Sequence, residues 1–307
     1  MYKDLESRGF CVVPSFLAPD ELEMLVSDFN STAPLPNANY DIRLASMTVM
    51  SRLHIKLLTL AAGVRSKTSV RTDTIYAGVY FSTFENRPFP WHQDHESYYE
   101  FQNHHDYLNC CIPVIKPDRT KSNLSVIPFD RLLERSPEVY EKLLNRGATA
   151  VNVGGGRTTF IDDDDGGTLG VVDYDINELA ETPQLEASDL LLLRGDIIHK
   201  TEDKDTRRAA LSVRLLNSKT VLRRARLVSG GIKKLRMMAA NPAHYRKCLK
   251  IYAAIGKDEV SLGEYLKNYN LPPEGRGGRV GFVASLLFEK LRNRIFGDKA
   301  RTRSSLI

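Results

Sequence analysis

The chain has 307 residues, 42% of them hydrophobic, enough for one large core or one core with a smaller appended unit, so disorder of the whole is excluded. No apolar run reaches the roughly 20 residues of a membrane span, and the start MYKDLESRGF lacks the basic-then-apolar layout of a secretory signal, so a soluble cytoplasmic protein is expected. The net charge of +5 divides unevenly: residues 1–218 hold 23 Lys and Arg against 32 Asp and Glu, residues 219–307 hold 20 against 6, which predicts a boundary near Lys219.

In chain order, GFCVVPSFLAPDELEMLVSDFN predicts a short strand over 11–13, a turn at Pro14 and then a helix. Pro19, Asp20 and Glu21 suit the helix's first turn, and Leu22, Leu25 and Phe29 form a stripe expected to cover one side of a sheet. Short strands follow over 70–84, 107–115, 123–127, 148–153, 169–172, 189–194 and 207–216, interrupted by a helix over 136–145. Many strands without regular βα alternation predict a mainly β protein with flanking helices, built on a two-sheet jelly roll. Beyond Asn217 the strand signals stop and helices are expected. The division is therefore a jelly-roll part over 1–218 with N-terminal helices and a basic helical region over 219–307.

Cys11, Cys110, Cys111 and Cys248 form no CxxC pair. Neighbouring Cys110 and Cys111 would point to opposite faces of a strand, so buried thiols in a reducing compartment are expected.

The most informative stretch is Trp91-His92-Gln93-Asp94, after a strand in which Tyr76, Gly78, Tyr80 and Ser82 would share one face. In an extended segment residues i and i+2 point the same way, so His92 and Asp94 can converge on one ion. By itself HxD is weak, since such triplets arise by chance. A second histidine is offered by LLLLRGDIIH, an apolar strand ending at His199 after a turn at Gly195-Asp196. Two imidazoles and one carboxylate would make the facial triad that suits divalent iron. Then RRAALSVRL alternates with period two, placing Arg208, Ala210, Ser212 and Arg214 opposite Ala209, Leu211, Val213 and Leu215. Buried guanidinium groups require an anionic partner, and a dicarboxylate would be one; the bland alternative is a solvated face.

Together GFCVVPSFL, WHQD, SNLSVIP and RGDIIHKTEDKDTRRAALSVR, in this order over residues 1–218, resemble the phytanoyl-CoA dioxygenase superfamily of iron(II)/2-oxoglutarate oxygenases. The resemblance implies a double-stranded β-helix (cupin-like jelly roll), with Fe(II) bound by His92, Asp94 and His199. It implies 2-oxoglutarate and dioxygen as cosubstrates, with the far carboxylate held by Arg208 and Ser212; Tyr80 and Asn109 are further candidates for that pocket because their strand faces could look inward. With Asp94 at the carboxylate position, hydroxylation of an aliphatic C–H is expected rather than halogenation. The chain departs from the family's pattern at SNLSVIPFDRL, which lacks a glycine and the terminal Gly-Ser-His, and the region after Lys219 has no counterpart.

Tyr98, Tyr99, Gln102 and Arg214 are the candidates for substrate contact, and His95, His104 and His105 lie near enough to join them. The expected partner is a small metabolite, natural product, sugar or lipid, with no nucleic acid; the oligomeric state stays open. Asp162 to Asp165 supplies no calcium-loop spacing and is expected to be a solvated turn. A helical stripe of Val280, Val283, Leu287, Leu291 and Ile295 beside Lys290, Arg292 and Arg294 predicts a cationic amphipathic helix. It would pack on the acidic part or lie peripherally on an anionic membrane. The alternative from another class is a non-catalytic jelly-roll protein binding an anionic ligand or a membrane surface.

Overall fold

Runs of aliphatic and β-branched residues, each too short for a stable helix, pair into the two antiparallel sheets of the core. The chain is described by a computed structural model covering residues 1–35, 41–82, 89–94, 106–202, 205–230, 234–235, 238–239 and 242–269. The larger sheet has six strands in the order β1 (Phe10–Val13), β9 (Leu190–Arg194), β4 (Tyr107–Ile115), β11 (Ala209–Leu216), β3 (Thr74–Ser82) and β2 (Asp41–Leu44). The smaller sheet is made from β5 (Leu124–Val126) paired with β10 (His199–Thr201), and from β6 (Ala148–Asn152), β7 (Thr158–Asp162) and β8 (Thr168–Val172). Residue His92 joins its two halves, bridging to His199 on one side and Thr149 on the other. This is the expected mainly β, jelly-roll core with flanking helices.

Period-two alternation on β4 and β11 assigns their faces. Leu108, Cys110 and Ile112 with Ala209, Leu211, Val213 and Leu215 pack in one cluster with Leu25 and Phe29 of α2 (Pro19–Ser31) and Leu53 and Leu57 of α3 (Met47–Lys67). Cys111 and Ala210 take the opposite face, packing between the sheets with Val126, Leu191, Leu193 and Ile197. Each fully buried aliphatic side chain contributes roughly 1.5–3 kcal/mol, so the alternation itself holds β11 in register. The two adjacent cysteines do face opposite ways. The outer side of the smaller sheet is covered by α4 (Phe129–Arg135) and α5 (Pro137–Leu143), where Leu132, Val139 and Leu143 meet Trp91, Phe160 and Val172.

One face assignment is corrected. On β3 the pairing runs Val213 with Gly78 and then Leu215 with Ile75, so β3 carries one extra residue opposite Arg214. Such a bulge reverses the alternation. Tyr80 stays in the helix-covered core, whereas Tyr76 packs with Tyr269, so the two do not share a face.

The region after Lys219 is not purely helical. β12 (Val221–Arg223) pairs with β13 (Glu259–Ser261), a two-stranded sheet that short runs flanked by charge concealed. It packs with α6 (Arg224–Val228), α7 (Pro242–Ile255) and α8 (Leu262–Lys267) in a cluster that includes Tyr107 and Leu216 from the larger sheet. Nor is the acidic run a solvated turn. Asp162 and Asp163 are buried, Asp163 accepts from Thr149 Oγ1 at 3.0 Å, and Asp164 pairs with Lys234 at 3.1 Å and with Arg226 at 3.4 Å. Lys234 is 0% exposed, and a buried ammonium needs such a partner because its isolated burial is prohibitively costly. The turn therefore anchors part of the basic region. The amphipathic stripe from Val280 to Ile295 lies outside the described residues.

Candidate metal centre between the sheets

His92 and His199 are brought together by backbone pairing. His92 N donates to His199 O at 3.0 Å and His199 N to His92 O at 2.9 Å, so the two residues sit directly opposite each other with side chains on one face. Their ring centroids are 4.5 Å apart. Asp94, two residues beyond His92 in extended backbone, points the same way, and its Oδ1 lies 3.7 Å from His199 Nε2. Among the described residues these three form the one group of His, Cys, Asp or Glu side chains whose ligand atoms all lie within 4.8 Å of one another.

The histidine tautomers follow from hydrogen bonding. His92 Nδ1 lies 2.6 Å from Pro90 O, and His199 Nδ1 lies 3.1 Å from Ile197 O. A carbonyl only accepts, so each Nδ1 carries the hydrogen and each Nε2 offers a lone pair to an ion. Such an outer partner also fixes ring orientation.

Gln93, between the ligands, was not singled out from sequence. It is 0% exposed, and its Nε2 donates to Leu143 O at 2.9 Å and Asp196 O at 2.6 Å. It therefore ties the HxD segment to the turn preceding His199. Asp196 is in turn held by a two-pronged pair with Arg194, at 3.0 and 2.9 Å. Its position between two ligands that share one face, which turns it to the opposite face of an extended segment, is the signal that could have pointed to Gln93.

The remaining candidates separate clearly. Asn109, Ser212 and Arg214 lie on the inner face beside Asp94: Ser212 Oγ donates to Asn109 Oδ1 at 2.6 Å, Asn109 Nδ2 donates to Asp94 Oδ2 at 3.3 Å, and Arg214 Nη2 is 4.0 Å from Asp94 Oδ1. Arg208, buried just before β11, and Arg214 both lie near Cys111. Burial pushes the Cys111 thiol up, and these two cations oppose the shift. Tyr80 is a correction: it sits on the far face of β3, its hydroxyl donating to Asp28 at 2.9 Å and its ring edge-on to Phe29, so it does not reach the site. Burial and Asp28 together hold its phenol well above the ordinary range. Tyr98, Tyr99 and Gln102, with His95, His104 and His105, lie outside the described residues.

The fold and site define a jelly-roll protein with a two-histidine, one-carboxylate cluster of metal-binding type. No protein-family model matches the chain, and no curated protein does. Among solved structures, it is similar to the non-heme alpha ketoglutarate-dependent carbocyclase SnoK from nogalamycin biosynthesis, at 11% identity and TM-score 0.49, covering 77% of this chain and 88% of that one. The corresponding epimerase SnoN is 13% identical at TM-score 0.48, with coverage of 72% and 83%. A prolyl-4-hydroxylase of Pseudomonas putida is 9% identical at TM-score 0.44, with coverage of 70% and 96%. At such identities and TM-scores the likeness carries no functional weight, and the site's own residues must do so.

Proposed function

We propose that the chain is a non-haem iron(II) oxygenase using 2-oxoglutarate and dioxygen, hydroxylating an aliphatic C–H of a small metabolite, natural product, sugar or lipid. The observation that supports this most is the convergence of two imidazoles and one carboxylate between the sheets, with each imidazole's Nδ1 turned to a backbone carbonyl. That donor set fits iron(II): two neutral nitrogens and one oxygen suit a borderline divalent ion and leave positions open. When bound, iron with its cosubstrates supplies the oxidising power to attack an unactivated C–H bond.

The chain's own residues do the rest. His92, Asp94 and His199 hold the metal. Arg208, a buried guanidinium just before β11, would hold the far carboxylate of 2-oxoglutarate, and the family resemblance supports that choice. Arg214, nearer the carboxylate ligand, faces the substrate. The apolar packing of Val126, Leu191 and Ile197 between the sheets limits water at the reacting centre.

The test is release of succinate from 2-oxoglutarate by the purified chain, with a panel of candidate substrates. The expected release requires both added iron(II) and oxygen and disappears in His199→Ala. Release no greater than in that variant across the panel, with iron bound, would count against the oxygenase reading.

A further inference from the structure

The two oxygens of Asp94 are not equivalent. Oδ1 lies where the ligand atoms converge, 3.7 Å from His199 Nε2 and 4.0 Å from Arg214 Nη2. Oδ2 instead accepts from Asn109 Nδ2 at 3.3 Å. The Asn109 amide cannot turn over without loss, because its Oδ1 receives Ser212 Oγ at 2.6 Å and Arg214 Nη1 at 3.4 Å. A guanidinium has donors only, so the amide atom facing it must be the oxygen, and the NH2 group is then directed at Asp94.

The strands impose this arrangement. Arg214 is directly opposite Asn109 in the β4–β11 ladder, and Ser212, opposite Cys111, is a diagonal neighbour on the same inner face. Asp94, Asn109, Ser212 and Arg214 are all more than nine-tenths buried, so water offers the group little competition.

We infer that Asn109 is a positioning residue, itself oriented by Ser212 and Arg214, that withholds Oδ2 of Asp94 from the metal so that the carboxylate binds through Oδ1 alone. The inference rests on the proposed metal site and deepens it. Three protein atoms then bind the ion, and further positions stay open for the cosubstrate. Ser212, which the family resemblance assigns to 2-oxoglutarate, acts on Asp94 through Asn109.

The test is a double-mutant cycle read by equilibrium titration with cobalt(II), followed by its visible absorption, on wild type, Asn109→Ala, Ser212→Ala and the double variant. Melting of each metal-free protein reports folding. Asn109→Ala is expected to weaken cobalt binding by about 10–100-fold, the range for lost outer partners of a ligand, and to change the ligand-field spectrum. Ser212→Ala should weaken it less, and within about twofold of nothing once Asn109 is already Ala. Ser212→Thr, which keeps the hydroxyl donor, should retain wild-type affinity.

An undiminished effect of Ser212→Ala in the Asn109→Ala background would overturn the inference, as would unchanged affinity and spectrum in Asn109→Ala. If Asn109→Ala does not fold, the Ser212 pair decides: loss with Ala and recovery with Thr supports the relay, and equal affinities contradict it. His92→Ala is the control that separates the two levels, since wild-type cobalt affinity there would defeat the metal site itself.

Discussion

Arg208 and Arg214 carry the same charge, one just before β11 and the other within it, yet their surroundings differ. Arg214 lies within 4.0 Å of Asp94 and also reaches Asn109, so it is bound to the metal-ligand group. Arg208 stands just before β11, outside the β4–β11 ladder, which begins at Ala209. Arg208→Ala is expected to raise the KM for 2-oxoglutarate at least ~10-fold, since a hydrogen bond to a charged group is worth roughly 1.5–3 kcal/mol. Arg214→Ala should act mainly on substrate and on metal affinity. Steady-state kinetics with each cosubstrate varied in turn checks this, and exchanged phenotypes would reverse the two roles.

At the scale of elements, glycine positions give the sharpest test of packing. Gly9 closes α1 (Tyr2–Arg8) at φ +80, and a Cβ there would lie 2.6 Å from the Phe129 ring, which stacks against Arg194. Gly156 has φ +72 but open space around it. Gly9→Ala therefore combines left-handed strain with overpacking, about 2–4 kcal/mol, whereas Gly156→Ala carries the strain alone, about 1–2 kcal/mol. Denaturant midpoints of the two variants should differ in that order.

The elements also show what could be read in advance. The alternation in β11, the HxD spacing and the apolar run into His199 were legible because burial on one face leaves a period-two imprint. The long helix α3 was not assigned, although Val49, Leu53, Leu57, Leu60 and Val64 repeat at helical spacing. Its low contrast between faces hid it, with Ile55 and Met47 exposed. β7 was missed because Asp162, its last residue, runs straight into the acidic turn. The inward placement of Tyr80 failed because a strand's alternation does not say which of its two faces meets helices and which meets the second sheet. Likewise Asn109 could be placed inward from its strand, but its contact with Asp94 depends on register between β4 and β11, which no single segment encodes.

Over the whole molecule, an acidic part and a basic part share one chain, and Asp164 with Arg226 and Lys234 is a place where opposite charges meet. Asp164→Asn should loosen the C-terminal region by about 1.5–3 kcal/mol, the value of a hydrogen bond to a charged group, as faster hydrogen exchange in α7. Among the described residues no helix is long and apolar enough to cross a membrane. Co-sedimentation with anionic and neutral vesicles at low and high salt tests the alternative use of the basic residues. Salt-sensitive binding to anionic vesicles supports a peripheral membrane role, and its absence at low salt leaves the intramolecular one.

On the proposed function, His92, Asp94 and His199 jointly hold one iron. Anaerobic titration of the metal-free protein with iron(II), beside His92→Ala, Asp94→Ala and His199→Ala, tests it most directly. One iron per chain is expected in the wild type, with loss of most binding in every variant, because three ligands leave no redundancy. Full iron occupancy in any one of the three variants would contradict it.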